Sequence, residues 1–197
     1  MLEVLEHFMS TVVVVKKDRQ IAIAADTLTK LDRMYESAEY VVSSSKILRL
    51  GENYIAQVGH ASLSLIWRRH FAEQTELKLD STDAIFDVAR GFHKVLEDDY
   101  YLNTYGGAAD QFESSSAQYL IANSYGIFGL YALRSVQEYS KFYSFGSGSE
   151  FALGAMEALH SLNFSSEEIA RKAVECAAKF DDSTGLPVEI YTIKQKS

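Results

Sequence analysis

Two apolar runs near the start of the chain, Val12 to Val15 and Ile21 to Ala25, flank the charged residues Lys16 to Arg19. Runs of that length around a polar turn predict a β-hairpin. Neither run alternates with polar residues, so both faces of this sheet are expected to be covered. Residues 27–38 are polar and lack a period. YVVSSSKILRL (residues 40–50) then reads as the edge of a strand pair followed by a strand, and Gly51-Glu52-Asn53 as a turn into a strand over Tyr54 to Val58. From Ala61 the period changes. Leu63, Ile66, Trp67 and Phe71 recur at helical spacing. Ser81 or Thr82 can cap a second helix, with Asp83 in its first turn and a stripe of Ile85, Phe86, Ala89, Phe92, Val95 and Leu96.

Residues 103–116, with Gly106-Gly107 and three serines, predict a loop. Strands follow at Gln118 to Ala122 and Ile127 to Leu133 around a turn at Asn123 to Gly126, and another strand ends near Phe145. GSGSEFALGAMEAL (residues 146–159) passes from a loop into a helix, and Ser165-Ser166-Glu167-Glu168 caps the next one. Asp181 to Gly185 is a loop before a final strand over Val188 to Ile193. The order is strands, two helices, strands, two helices, strand. It predicts an α+β fold, a four-layer αββα sandwich in which two sheets pack face to face between helix pairs.

Composition narrows the function classes. A chain of 197 residues without a Pro/Ser linker or repeat fits one domain. Its net charge of −8 argues against nucleic acid as a partner, since phosphate binding needs a basic footprint. No apolar run approaches the roughly 20 residues of a membrane span, and the opening MLEVLEHFM lacks the basic head and apolar stretch of a secretory signal. The single cysteine, Cys176, excludes an intrachain disulfide, suits a reducing cytoplasm, and has the alanine-flanked setting of a packing residue. His7, His60, His70, His93 and His160 show no metal-ligand spacing, and Gly106-Gly107 is not a phosphate loop. No metal or cofactor is expected.

Three separated stretches carry a resemblance: STVVVV…IAIAAD from Ser10 to Asp26, SKILRL around Lys46, and the GSGSEFALGAMEAL stretch. In register and in the predicted element order, they resemble the proteasome β-subunit superfamily of N-terminal-nucleophile hydrolases, most closely its HslV-like bacterial branch. The serine at the nucleophile position, the acidic balance and a lengthened loop before Lys46 are similar to the betaproteobacterial proteasome homologues.

The resemblance implies a leader over residues 1–9 and a peptidase domain over residues 10–197. Ser10, exposed by loss of Met1 to Met9, would supply both the nucleophilic hydroxyl and, through its α-amine, the general base. Asp26 would hold Lys46 beside it, Ser147 would meet the amine, and Asp181 with Thr184 would orient Ser147. Asp182 competes with Asp181, and Thr11 is the rival nucleophile that the spacing to Asp26 disfavours. The backbone donor for the oxyanion falls at Gln57 or at Gly59, and both stay open. Implied partners are unfolded polypeptide substrates, further copies of the chain in stacked rings of six or seven, and an ATP-driven unfoldase. The competing reading is a non-catalytic ring scaffold that keeps its leader.

Overall fold

The structure is a computed structural model that describes residues 9–31, 34–72, 77–101, 114–115 and 117–196. The two apolar runs form β1 (Val12–Lys17) and β2 (Gln20–Asp26), paired antiparallel from Val12↔Ala25 to Lys17↔Gln20. The pairing leaves a two-residue turn of Asp18 and Arg19, both at positive φ (51° and 60°). Two left-handed residues give that turn the twist that antiparallel strands require. A short separate hairpin, β3 (Thr29–Leu31) and β4 (Met34–Glu36), follows. Then come β5 (Ile47–Leu50), β6 (Asn53–Gly59), α1 (Ser62–Phe71) and α2 (Thr82–Tyr100). The second half contains β7 (Ala117–Ala122), β8 (Ile127–Leu130), β9 (Val136–Tyr139), β10 (Phe142–Phe145), α3 (Ser149–His160), α4 (Ser166–Phe180) and β11 (Val188–Lys194).

The strands β10-β1-β2-β11 make one antiparallel sheet and β5-β6-β7-β8-β9 the other. Three apolar layers show how the sheets and helices stack. Val12, Val14, Ile21 and Ile23 meet Ala56, Val58, Leu120 and Ile127 between the sheets. Val13, Val15, Ala22 and Ala24 face outward against Ala152, Met156, Ala173 and Val174 of α3 and α4. Ile55, Tyr119 and Ile121 pack under Trp67, Phe71 and Phe92 of α1 and α2. This is the four-layer αββα arrangement. The valines of β1 and their β2 partners are fully buried because successive residues enter two different cores.

Local differences from the sequence reading have physical causes. No strand covers residues 40–46, where Tyr40 and Val42 lie exposed; β-branched and aromatic residues favour strands only where a neighbouring strand or core receives them. The hairpin of β3 and β4 falls in the stretch read as irregular. β8 stops at Leu130, and a turn around Arg134 (φ 67°) leads into β9, which sequence alone missed. On α2 the inward stripe takes His93 in place of Phe86, which is exposed. Cys176 is only half-buried. Caps behave as read: Ser81 accepts from the Ala84 N–H, and Ser165 with Glu168 forms a reciprocal capping box. Most of the loop expected over residues 103–116 lies outside the described residues.

Candidate active site

The end of the β1–β2 ladder builds the first arm of the site. Beyond Val12↔Ala25, the Asp26 N–H donates to the Thr11 carbonyl at 3.1 Å, and the Thr11 N–H returns to Asp26 Oδ1 at 3.0 Å. Asp26 Oδ2 accepts from the N–H groups of Leu28 and Gly185, both at 3.1 Å. Asp26 is thus a fully buried carboxylate with three backbone donors. Its burial leaves neither oxygen without a partner.

Lys46 enters from the residue just before β5. Its Nζ donates to Asp26 Oδ1 at 2.8 Å, to Ser10 Oγ at 2.8 Å and to the Leu28 carbonyl at 2.6 Å. An ammonium has three protons, and here each has an acceptor. Loss of hydration pushes the Lys46 pKa below its ordinary value, a push that the Asp26 charge opposes.

The second arm comes from the other half of the chain. Ser147 lies in the loop between β10 and α3, and its Oγ donates to Asp181 Oδ2 at 2.8 Å. Asp181 caps the C-terminal end of α4, and the Thr184 hydroxyl donates to the same oxygen. The Ser10 N–H points at Ser147 Oγ, 3.3 Å away. Because the one Ser147 proton is engaged by Asp181, the oxygen facing Ser10 acts as an acceptor. Asp182 points elsewhere: its side chain is 75% exposed and pairs with Lys30.

The two glycines around Ser147 make room for this arrangement. Gly146 sits at φ 104°, and a Cβ there would fall 2.0 Å from the Ser10 carbonyl oxygen. A Cβ on Gly148 would fall 2.2 Å from Thr11 Oγ1 and 3.0 Å from Thr184 Oγ1. Backbone and hydroxyls can approach only because both side chains are missing.

Of the residues singled out from sequence, Ser10, Asp26, Lys46, Ser147, Asp181 and Thr184 converge in one hydrogen-bonded cluster. Thr11 is fully buried, with its hydroxyl 2.6 Å from that of Thr184 and so turned away from Lys46. Of the two oxyanion candidates, the Gln57 N–H donates to the Lys46 carbonyl at 3.1 Å, and Gly59 adopts φ 129°. Sequence reading missed the contacts of Thr11 with Asp26 and Thr184, the Leu28 carbonyl and the Gly185 amide. The last two are backbone groups and have no residue-type signature. A cleft of about 320 Å³ opens beside Ser147, bordered by Gln118, Tyr131, Tyr143 and Phe145. Among the described residues, no group of three or more His, Cys, Asp or Glu side chains is gathered to hold a metal ion.

Chemically, this cluster places a cation against one hydroxyl and an oriented serine against the nitrogen of the same residue. That suits acyl transfer, in which an alkoxide must be generated and its proton held nearby.

The Thiobacillus denitrificans protein BPH, solved in complex with epoxomicin, is 46% identical to this chain, with 95% of this chain and all of that one covered and a TM-score of 0.89. The chain belongs to the proteasome β-subunit superfamily. The proteasome subunit beta of Nanoarchaeum equitans (strain Kin4-M) is 24% identical over 95% of this chain and 94% of its own length. HslV from Trypanosoma brucei, at 19% identity and a TM-score of 0.68 over 94% of this chain and 99% of its own, shares the fold. No family model matches the chain. Among the described residues, no helix of this proteasome-type fold is long and apolar enough to cross a membrane.

Proposed function

We propose that the chain is an endopeptidase whose nucleophile is Ser10 after removal of Met1 to Met9. The observation that carries this is Lys46 Nζ at 2.8 Å from Ser10 Oγ, while the nitrogen of Ser10 rests on a serine oriented by Asp181. Membership of a family of peptidases agrees with it.

Leader removal would use the same hydroxyl. Ser10 Oγ attacks the Met9 carbonyl carbon, the C–N bond breaks as the C–O bond forms, and the hydroxyl proton passes to the Ser10 nitrogen. Water then hydrolyses the ester, releasing the Met9 carboxylate and restoring the hydroxyl beside a free amine. Ser10 sits at φ 124°, an uncommon value for a residue with a side chain. Cutting the preceding bond removes that dihedral and whatever strain it stores.

In the mature protein, the Ser10 α-amine takes the proton of its own hydroxyl as Oγ attacks a peptide carbonyl. An N-terminal amine ordinarily titrates at about 7.7–8.0, close enough to neutral pH for it to serve as a base. Ser147 accepts one amine N–H, which turns the nitrogen lone pair away from itself. Lys46 stabilises the developing alkoxide, and its lowered pKa reduces the cost of proton exchange at that oxygen. Unfolded polypeptides are the substrate class. The working assembly is stacked rings of this chain in the cytoplasm, fed by an ATP-driven unfoldase.

Intact-mass spectrometry of purified protein tests the proposal. The expected result is loss of residues 1–9, followed by one adduct per chain with epoxomicin, the ligand bound by the BPH relative. An epoxyketone of this type requires an amine and a hydroxyl on one residue. An intact leader and no adduct would leave the scaffold reading in its place.

A further inference from the structure

Thr11 has two bonding groups, and they reach different arms of the site. Its N–H donates to Asp26 Oδ1, the oxygen that also holds Lys46. Its hydroxyl lies 2.6 Å from Thr184 Oγ1. Thr184 gives its own proton to Asp181, so it can only accept from Thr11. The hydroxyls therefore run in one direction: Thr11 to Thr184, Thr184 to Asp181. Ser147 donates to the same Asp181 oxygen. The side chain of Thr11 is fully buried, and the bare Cα of Gly148 leaves the space its Oγ1 occupies.

We propose that Thr11 is a positioning residue of the proposed peptidase, joining the Lys46–Asp26 arm to the Thr184–Asp181–Ser147 arm and fixing the direction of the protons in the second. Without its hydroxyl, Thr184 loses its donor and can rotate away from Asp181. Ser147 is then no longer held with its proton toward Asp181 and its lone pair toward the Ser10 nitrogen. Thr11 touches no reacting atom, and its effect passes through Thr184. This inference rests on the reading of Ser10 as nucleophile.

The test is a double-mutant cycle in the full chain, read by steady-state hydrolysis of a fluorogenic peptide and by the rate of leader loss. Thr11→Val keeps the shape and the N–H and removes only the hydroxyl. It is expected to lower kcat by about 3- to 10-fold, the range for one net hydrogen bond, with KM unchanged. Thr11→Ser restores the hydroxyl and should recover kcat to within about 2-fold. Combining Thr11→Val with Thr184→Val should be no worse than Thr184→Val alone, because coupled groups do not add. A Thr11→Val protein with wild-type kcat overturns the inference, as does a loss that adds fully to that of Thr184→Val. If Thr11→Val fails to fold, the cycle is run with Thr11→Ser and Thr11→Cys; equal kcat in the two, despite the thiol's weaker donation, overturns the inference. Ser10→Ala is assayed in parallel. Hydrolysis that survives Ser10→Ala defeats the nucleophile reading itself, whereas hydrolysis abolished there but intact in Thr11→Val defeats only the role of Thr11.

Discussion

Lys46 Nζ stands 2.8 Å from Ser10 Oγ, on a lysine whose remaining two protons are fixed by Asp26 and the Leu28 carbonyl. With all three protons engaged, the cation is held in one orientation, aimed at that hydroxyl. Lys46→Met keeps the length of the stem and removes the charge. Peptide hydrolysis is expected to fall by about 10²- to 10⁴-fold, the range for a positioned acid–base or electrostatic group. The fold should persist, because Asp26 retains three backbone donors. Steady-state kinetics and a thermal melt of the same preparation check both halves of this expectation.

Asp26 should be far less replaceable. Asp26→Ala leaves the amides of Thr11, Leu28 and Gly185 without acceptors and the buried Lys46 ammonium without a counter-charge. Breaking a buried pair from one side costs about 3–5 kcal/mol. Asp26→Asn should also destabilise strongly, since its amide nitrogen must face one of those N–H donors. Urea unfolding of Asp26→Ala, Asp26→Asn and Lys46→Met should rank both Asp26 variants below Lys46→Met.

The lowered pKa of Lys46 gives a signed pH effect. Between its folded pKa and its ordinary 10.5, the unfolded chain binds more protons at this lysine than the folded chain does. Stability from this residue therefore rises with pH across that window and is lost as pH falls through the folded pKa. Wild type should gain on Lys46→Met as pH is raised toward 10.5. Denaturant titrations of both proteins at several pH values read the difference directly, and a gap that widens in favour of Lys46→Met would contradict the assignment.

Gly146→Ala and Gly148→Ala should both damage the site, for different reasons. The first combines φ 104° with a Cβ 2.0 Å from the Ser10 carbonyl oxygen. The second has an ordinary φ of −87° but places its Cβ 2.2 Å from Thr11 Oγ1. Each is expected to cost about 1–3 kcal/mol of stability, the usual range for overpacking. Gly146→Ala should also slow leader loss more, because it displaces Ser10 itself. A time course of intact mass after dilution from denaturant compares the two.

The architecture was readable where residue type and burial agree. The unbroken valines of β1 announced a doubly covered sheet, and Ser165 with Glu168 announced a helix start. The reading failed at Tyr40 and Val42, which carry strand-forming side chains with nothing to pack on, and at Phe86, whose place on the inner stripe is taken by His93. At the site, Lys46 and Ser147 stood out through the sequence around them. The preference for Asp181 over Asp182 rests on the resemblance around Thr184-Gly185 rather than on the acids themselves; in the structure the chain leaves α4 with Asp181 turned inward to Ser147 and Asp182 turned toward Lys30. The Leu28 carbonyl and the Gly185 amide were invisible to sequence because every residue has such groups.

The carboxylate of Asp26 gathers its amide donors from positions 11, 28 and 185. A nascent chain still lacking its last segment cannot supply the third of these, nor the Asp181–Thr184 pair that steers Ser147. The arrangement that holds Lys46 against the Ser10 hydroxyl therefore cannot be completed until position 185 has been synthesised, so two ends of a long loop of sequence must meet before it exists.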